Sequence, residues 1–191
     1  MLSWQDFVSA YPTGKVLDWR DTCFDSDYGL YPYVSYDDPD GIPFLFRGAL
    51  DDRAAAMQRV VGVEIDGTSA AYTLEYVAED DAHAVNTTLG DTPIAIFWKS
   101  GQSSALDARQ IAEGMDVGSA AVFHAVVDGT QLTFTADGDS FIDAETGTRW
   151  SIVGLATDGP LEGARLERIP HLDTFWFAWS TYQPGTTLVE G

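Results

Sequence analysis

The chain has 191 residues, thirty acidic against ten basic side chains and a formal charge of -20. That balance excludes nucleic acid as a partner: phosphate binding needs a basic stripe, and the eight arginines are scattered. The longest apolar runs fall far below the ~20 residues of a spanning helix, so membrane insertion is not expected. Asp outnumbers Glu, and Lys15 and Lys99 are the only lysines. Screening reaches roughly 8–10 Å in ordinary buffer and about 3 Å in molar salt. A surface this anionic therefore repels itself unless salt is abundant, which points to a halophilic protein whose stability depends on salt. Apolar residues make up 45% and the acids are dispersed, which argues for a folded chain.

Met1-Leu2-Ser3 leads straight into an aromatic segment with no signal peptide, so the start reads as a boundary inside a longer protein. From Ser3 the spacing predicts a helix. Ser3 is the N-cap, Trp4, Phe7, Val8 and Tyr11 share one face, and Pro12 stops it. A short strand at Val16-Leu17 is expected next. Residues 18–59 read as loop-rich, with an Asp-rich stretch from Asp37 to Gly41.

The β core is expected over 60–191. Val60 to Ile65 and Ala70 to Leu74 flank Asp66-Gly67, a strong hairpin signal because both residues tolerate positive φ. Ala84 to Thr88 and the buried run Ile94 to Trp98 flank Gly90-Asp91. Ser100 to Asp107 reads as a connector. Val122 to Val127 and Gln131 to Thr135 flank Asp128-Gly129, and Asp137-Gly138, Thr146-Gly147 and Asp158-Gly159 mark further turns. Thr148 to Val153 and Ala164 to Ile169 complete the strands. A second helix is expected at Trp176 and Trp179, capped by Asp173 or Thr174 and ended by Pro184, with Leu188-Val189 beyond it. The two ends echo each other, as two packed helices or an old duplication. The fold class is mainly β, an antiparallel barrel or sandwich of short strands and hairpins, with short amphipathic helices at both ends. The whole, 1–191, reads as one β-rich domain, with 1–17 as the tail of a preceding unit.

Several blocks carry a resemblance. They are Val60 to Gly67, Pro93 to Trp98, Ser104-Ala105-Leu106-Asp107, Glu145 to Trp150, Gly159 to Gly163 and Pro170 to Trp179. Asp27-Tyr28-Gly29, Pro32-Tyr33, Ala71-Tyr72, Val85-Asn86, Val126 to Gly129 and Leu132 to Phe134 add to them. In this order they resemble domain of unknown function 3179, a family of bacterial and haloarchaeal proteins. The resemblance implies an extracytoplasmic location, secreted or at the cell surface, and that this chain is the second half of longer members. Many members carry a Tyr-Cys-Pro-Leu-Cys-like motif where this chain reads Phe97-Trp98-Lys99-Ser100. No thiol or metal role is carried over, and Cys23 stands where Gly is expected.

Trp98, Arg149, Trp150, His171, Asp173 and Trp176 are the candidate ligand-binding residues. Together they would offer an aromatic cleft, a fork donor and an acid/base pair, since His171 and Asp173 share one side of an extended segment. The competing interpretation is a buried His171–Asp173 hydrogen bond that fixes the entry to the last helix. Three scattered histidines and one cysteine give no zinc spacing, so no metal site is expected. Asp37 to Gly41 and Asp137-Gly138-Asp139 leave a surface cation such as calcium as a minor alternative, without the full loop pattern. No cofactor loop or G-x-S-x-G elbow occurs. Ser100, Ser103 and Ser104 read as connector residues. The first expectation is a binding or scaffold module, monomeric or weakly oligomeric, with a small molecule or a protein as partner. The alternative is a hydrolase or other small-molecule enzyme using His171 and Asp173.

Overall fold

The computed structural model describes residues 2–24 and 26–190. The expected boundaries at Met1 and Gly191 lie outside the described residues, as does Asp25. The chain opens with α1 (Trp4–Ala10), followed by a 3-10 turn at Trp19–Asp21. The strands start at β1 (Arg59–Ile65) and β2 (Thr68–Thr73), then a one-turn α2 (Leu74–Val77) leads to β3 (Ala82–Leu89) and β4 (Thr92–Lys99). After a 3-10 turn at Ile111–Glu113 come β5 (Ser119–His124), β6 (Val126–Val127), β7 (Thr130–Gln131), β8 (Phe134–Asp137) and β9 (Ser140–Asp143). The chain continues with β10 (Arg149–Trp150), β11 (Ala156–Asp158), β12 (His171–Phe175), α3 (Trp176–Tyr182) and β13 (Thr187–Val189).

The turn chemistry sets the hairpins. Asp66 and Gly67 both take positive φ, 50° and 79°, the geometry of a two-residue link between right-twisted strands. Asp128 and Gly129 repeat it between β6 and β7, at 49° and 80°. Three sheets result, in the orders β12-β1-β2-β13, β3-β4-β5 and β11-β10-β9-β8, with β6-β7 as a separate ribbon. Among the described residues every strand pairing is antiparallel except β13 with β2. The sheets stack as in a sandwich and do not close into a barrel.

Period-two alternation explains the stack. Ile94, Ile96 and Trp98 of β4 pack with Val61, Val63 and Tyr72 of the first sheet. Ala95 and Phe97, on the other face, pack with Phe134, Phe141 and Trp150 of the third. The middle sheet is thus covered on both sides, and β4 reads as an unbroken apolar run because neither face meets water. The outer face of the first sheet, through Val60 and Ala71, holds Trp176 and Trp179 of α3. Gly62 is required there: a Cβ on it would lie 2.3 Å from the Trp179 ring.

The two ends differ. Trp176 and Trp179 are buried, whereas α1 buries no residue and is fixed by its Ser3 cap and a Lys99–Asp6 ion pair of 2.8 Å. Leu188-Val189 lies in β13, while Val16-Leu17 is exposed and forms no strand. Asp173 and Thr174 do not cap α3. They pair with Val61 and Val60 inside β12, and Phe175 occupies the cap position without a side-chain bond.

Candidate functional site

The six residues expected to share one cleft are dispersed by the stacking. Trp98 lies in the core between the first and middle sheets, Trp150 in the core beyond the middle sheet, and Trp176 under α3. Their polar atoms have structural partners. Trp98 Nε1 donates to Val117 O at 3.1 Å, Trp150 Nε1 to Asp143 Oδ2 at 2.8 Å and Trp176 Nε1 to Asp51 O at 3.1 Å. Arg149 is an outer-sheet residue bonded to Ser140 Oγ at 2.7 Å and paired with Asp137.

His171 and Asp173 do share a face of β12, opposite Val63 and Val61, but they serve different contacts. His171 Nδ1 lies 2.8 Å from Ile169 O and Nε2 3.3 Å from Ala120 O. Burial pushes its imidazole below the ordinary value, and the two carbonyls act in the opposite direction. Neither the expected acid/base pair nor the expected His–Asp bond forms. His171 instead ties β12 to β5.

Asp173 belongs to a different cluster. Arg59 starts β1 two residues before Val61, so its side chain and that of Asp173 project from the same face of the sheet. Arg59 Nη1 reaches Asp173 Oδ1 at 3.3 Å, and Nη2 reaches Asp37 Oδ2 at 3.2 Å and Ser104 Oγ at 3.0 Å. Ser104 Oγ also donates to Asp37 Oδ2 through a short contact. The guanidinium lies over the Phe175 ring, 5.2 Å from its centroid.

Two long loops bring Asp37 and Ser104 together. Ser35 N donates to Asp107 O and Tyr36 N to Leu106 O, so residues 35–37 run alongside 104–107. Ser104 Oγ in turn accepts from Leu106 N at 3.1 Å. The Asp37 side chain is 1% exposed and that of Arg59 10%.

Asp37 and Arg59 of this cluster line a cavity of about 530 Å³, together with Met57, Leu74, Met115 and Val117. Asp37 Oδ1 and Arg59 Nε are both buried without a hydrogen-bond partner in the chain. An unmet buried donor or acceptor costs about 1–3 kcal/mol, more when charged. Both atoms belong to residues that line this one cavity, which makes it the candidate site. A separate hollow of about 570 Å³ beside Gln102, whose Oε1 is also buried and unpartnered, offers one neutral amide.

The sequence does not bring Asp37, Arg59 and Ser104 together. Asp37 lies in an Asp-rich loop, and Ser104 lies in a connector that is also one of the family-matching blocks. Arg59, one of only ten basic residues and placed at the head of a buried strand, is a further signal. Among the described residues no group of three or more His, Cys, Asp or Glu could hold a metal ion. Ser104 is fully buried, which removes it as an accessible nucleophile.

Fold and site define a stacked-sheet β protein with a buried carboxylate–guanidinium floor under an apolar-walled cavity. Residues 1–186 match the family described as Protein of unknown function (DUF3179), and the chain belongs to it. No curated protein and no solved structure matches the chain.

Proposed function

We propose that this chain is a binding module for a small molecule held in the cavity over Asp37 and Arg59. The observation that carries this is the pair of unpartnered charged atoms, Asp37 Oδ1 and Arg59 Nε, at the floor of a concave, mostly apolar site. Such a floor is costly in the free protein, and a ligand supplying the missing hydrogen bonds recovers that cost. Catalysis through His171 and Asp173 has less support, because both His171 nitrogens face backbone carbonyls and Asp173 is held by Arg59.

The module is salt-adapted and works outside the cytoplasm, at the cell surface or secreted. The location is what the family resemblance implies, and the salt adaptation is supported by the formal charge of -20 and by the ion pairs of the described residues. These pairs engage Asp6, Asp18, Asp37, Asp51, Asp137, Asp139, Asp173 and, with His83, Glu79, leaving most carboxylates unneutralised. Among the described residues no helix is long and apolar enough to cross a membrane.

A fragment library screened by thermal shift in molar KCl tests the binding role. Hits should raise the melting temperature of the wild type but not of Ala55→Trp, which fills the cavity from an exposed lining position. A library without hits, or hits that shift both proteins alike, would overturn it.

A further inference from the structure

We propose that the cavity's ligand is a small organic cation, an ammonium group on an apolar body. This rests on the binding role above and names its ligand class. Arg59 meets two carboxylates, Asp37 in the cavity lining and Asp173 behind it, at 3.2 and 3.3 Å. Arg59 is thus already shared, and it is the one cation among the cavity's lining residues. It has no surplus charge with which to hold an anion. The deficit there is instead negative, and it is centred on Asp37 Oδ1, a buried atom of a lining residue that has no partner in the chain and can only accept while the carboxylate is ionised.

The surrounding lining adds to this. Glu75, Asp116 and Glu190 border the same cavity. An entering carboxylate or phosphate would meet repulsion from each of them. A neutral hydroxyl could donate to Asp37 Oδ1 but would leave the excess charge uncompensated. At Asp37 an ammonium does both, while Arg59 Nε stays unpartnered as in the free chain, and a charge-assisted bond is roughly twice as strong as a neutral one. Acidic residues are common all over this surface, so the rim alone carries little weight. What sets this place apart is that the decisive carboxylate is buried and unsatisfied.

The apolar body has its own partners. Met57, Leu74, Met115 and Val117 supply the walls, and methionine thioethers adapt to the shape of what they cover. Burial also fixes how salt acts. In molar salt the screening length is about 3 Å, so the exposed rim loses most of its pull while the contact at Asp37 is retained. Selectivity for the cation should therefore persist in brine.

Phenethylamine, phenethyl alcohol and phenylacetate share one apolar body and differ in the head group. Calorimetric titration of the whole chain in molar KCl should show saturable binding of the amine at least about tenfold tighter than of the alcohol, a difference of about 1.4 kcal/mol. Phenylacetate should show none. Asp37→Asn should bring the amine down to the affinity of the alcohol. If that variant fails to fold, Glu75→Lys at the exposed rim, titrated at the lowest salt that keeps the protein folded, should weaken the amine several-fold and leave the alcohol unchanged. The alcohol or phenylacetate binding as tightly as the amine, and losing that binding in Ala55→Trp, overturns the cationic class while the cavity's binding role stands. Absence of saturable amine binding overturns the cationic class outright, and the fragment screen then decides the binding role separately.

Discussion

Residues 59–189 and residues 2–58 hold themselves in place by different means. In the first region strands alternate, and almost every apolar side chain of β1, β4 and β5 finds a facing layer. In the second, Trp4, Val16, Leu17, Trp19, Phe24 and Leu45 remain exposed. A few apolar contacts attach the second region, as Tyr36 on Phe175, Phe46 on Phe177 and the buried Met57, and its other attachments are polar and widely spaced. Ser3 N donates to Ser119 Oγ at 3.2 Å, Tyr31 N to Arg109 O at 2.8 Å and Arg53 Nη1 to Thr186 O at 2.7 Å. Yet this loosely buried region supplies Asp37, the most buried charge of the candidate site. The sheets provide rigidity, and an irregular loop laid on them provides one half of the recognition chemistry.

The same substitution made once in each region gives the sharpest contrast. Trp150 is fully buried between the middle and outer sheets, edge-on to Phe134 at 6.0 Å. Trp150→Ala should cost about 3–5 kcal/mol in chemical denaturation, the usual range for a buried aromatic reduced to alanine. Part of that loss comes from Asp143, which would lose its indole donor. Trp19 is 59% exposed, and Trp19→Ala should stay within about 0.5 kcal/mol. Equal losses would mean that the N-terminal region is as tightly integrated as the sheets, and the contrast would disappear.

Salt should separate the regions next. Removing screening restores repulsion among exposed carboxylates, while apolar burial between the sheets is little affected. Dialysis into dilute buffer should lower the melting temperature. Limited proteolysis under those conditions should cut first within 12–28, where Leu17, Trp19 and Phe24 are exposed and few long-range bonds hold the chain. A melting temperature indifferent to salt would remove the salt-adapted reading. First cuts within 82–99 would reverse the order of the two regions.

Much of the sheet region was legible in the sequence because its signals are local. Asp66-Gly67 and Asp128-Gly129 form the tight turns their residue types imply, and Ile94 to Trp98 is the doubly covered strand its apolar run suggests. Trp176 and Trp179 mark α3, where both indoles are buried. What was not legible depends on which layer faces which. Trp98, Trp150 and Trp176 looked like one aromatic cluster, but each fills a different interface, and no local pattern records how the sheets stack. Asp173 was paired with His171 because the two are two apart in sequence, whereas Arg59 meets it only through the β1–β12 pairing. Asp37 and Ser104 depend on the loop pairing at 35–37 and 104–107, which has no turn signature.

His171 gives the smallest and most specific test, because it probes how β12 is fastened to the middle sheet without touching the cavity. Its imidazole is held below the ordinary value mainly by burial, so the folded protein binds a proton less readily than the unfolded chain. The sign follows from linkage: where the unfolded state binds more protons, stability rises with pH. The contribution from neutral His171 is complete above the ordinary histidine value near about 6.5 and declines as pH falls through its lowered folded value. Wild type should therefore lose stability on acidification below about 6.5, before the carboxylates titrate. Asp143 acts in a lower window. Burial raises its carboxyl, but the bonds from Trp150 and Thr146 prevail and hold it below the usual aspartate value, so its contribution fades only at more acid pH. His171→Gln should flatten the upper part of the stability–pH curve and leave the lower part unchanged. A wild-type curve that rises on acidification through this range would mean that the two carbonyls outweigh burial. The ring would then be a doubly donating cation linking Ile169 and Ala120, rather than a neutral spacer between β12 and β5.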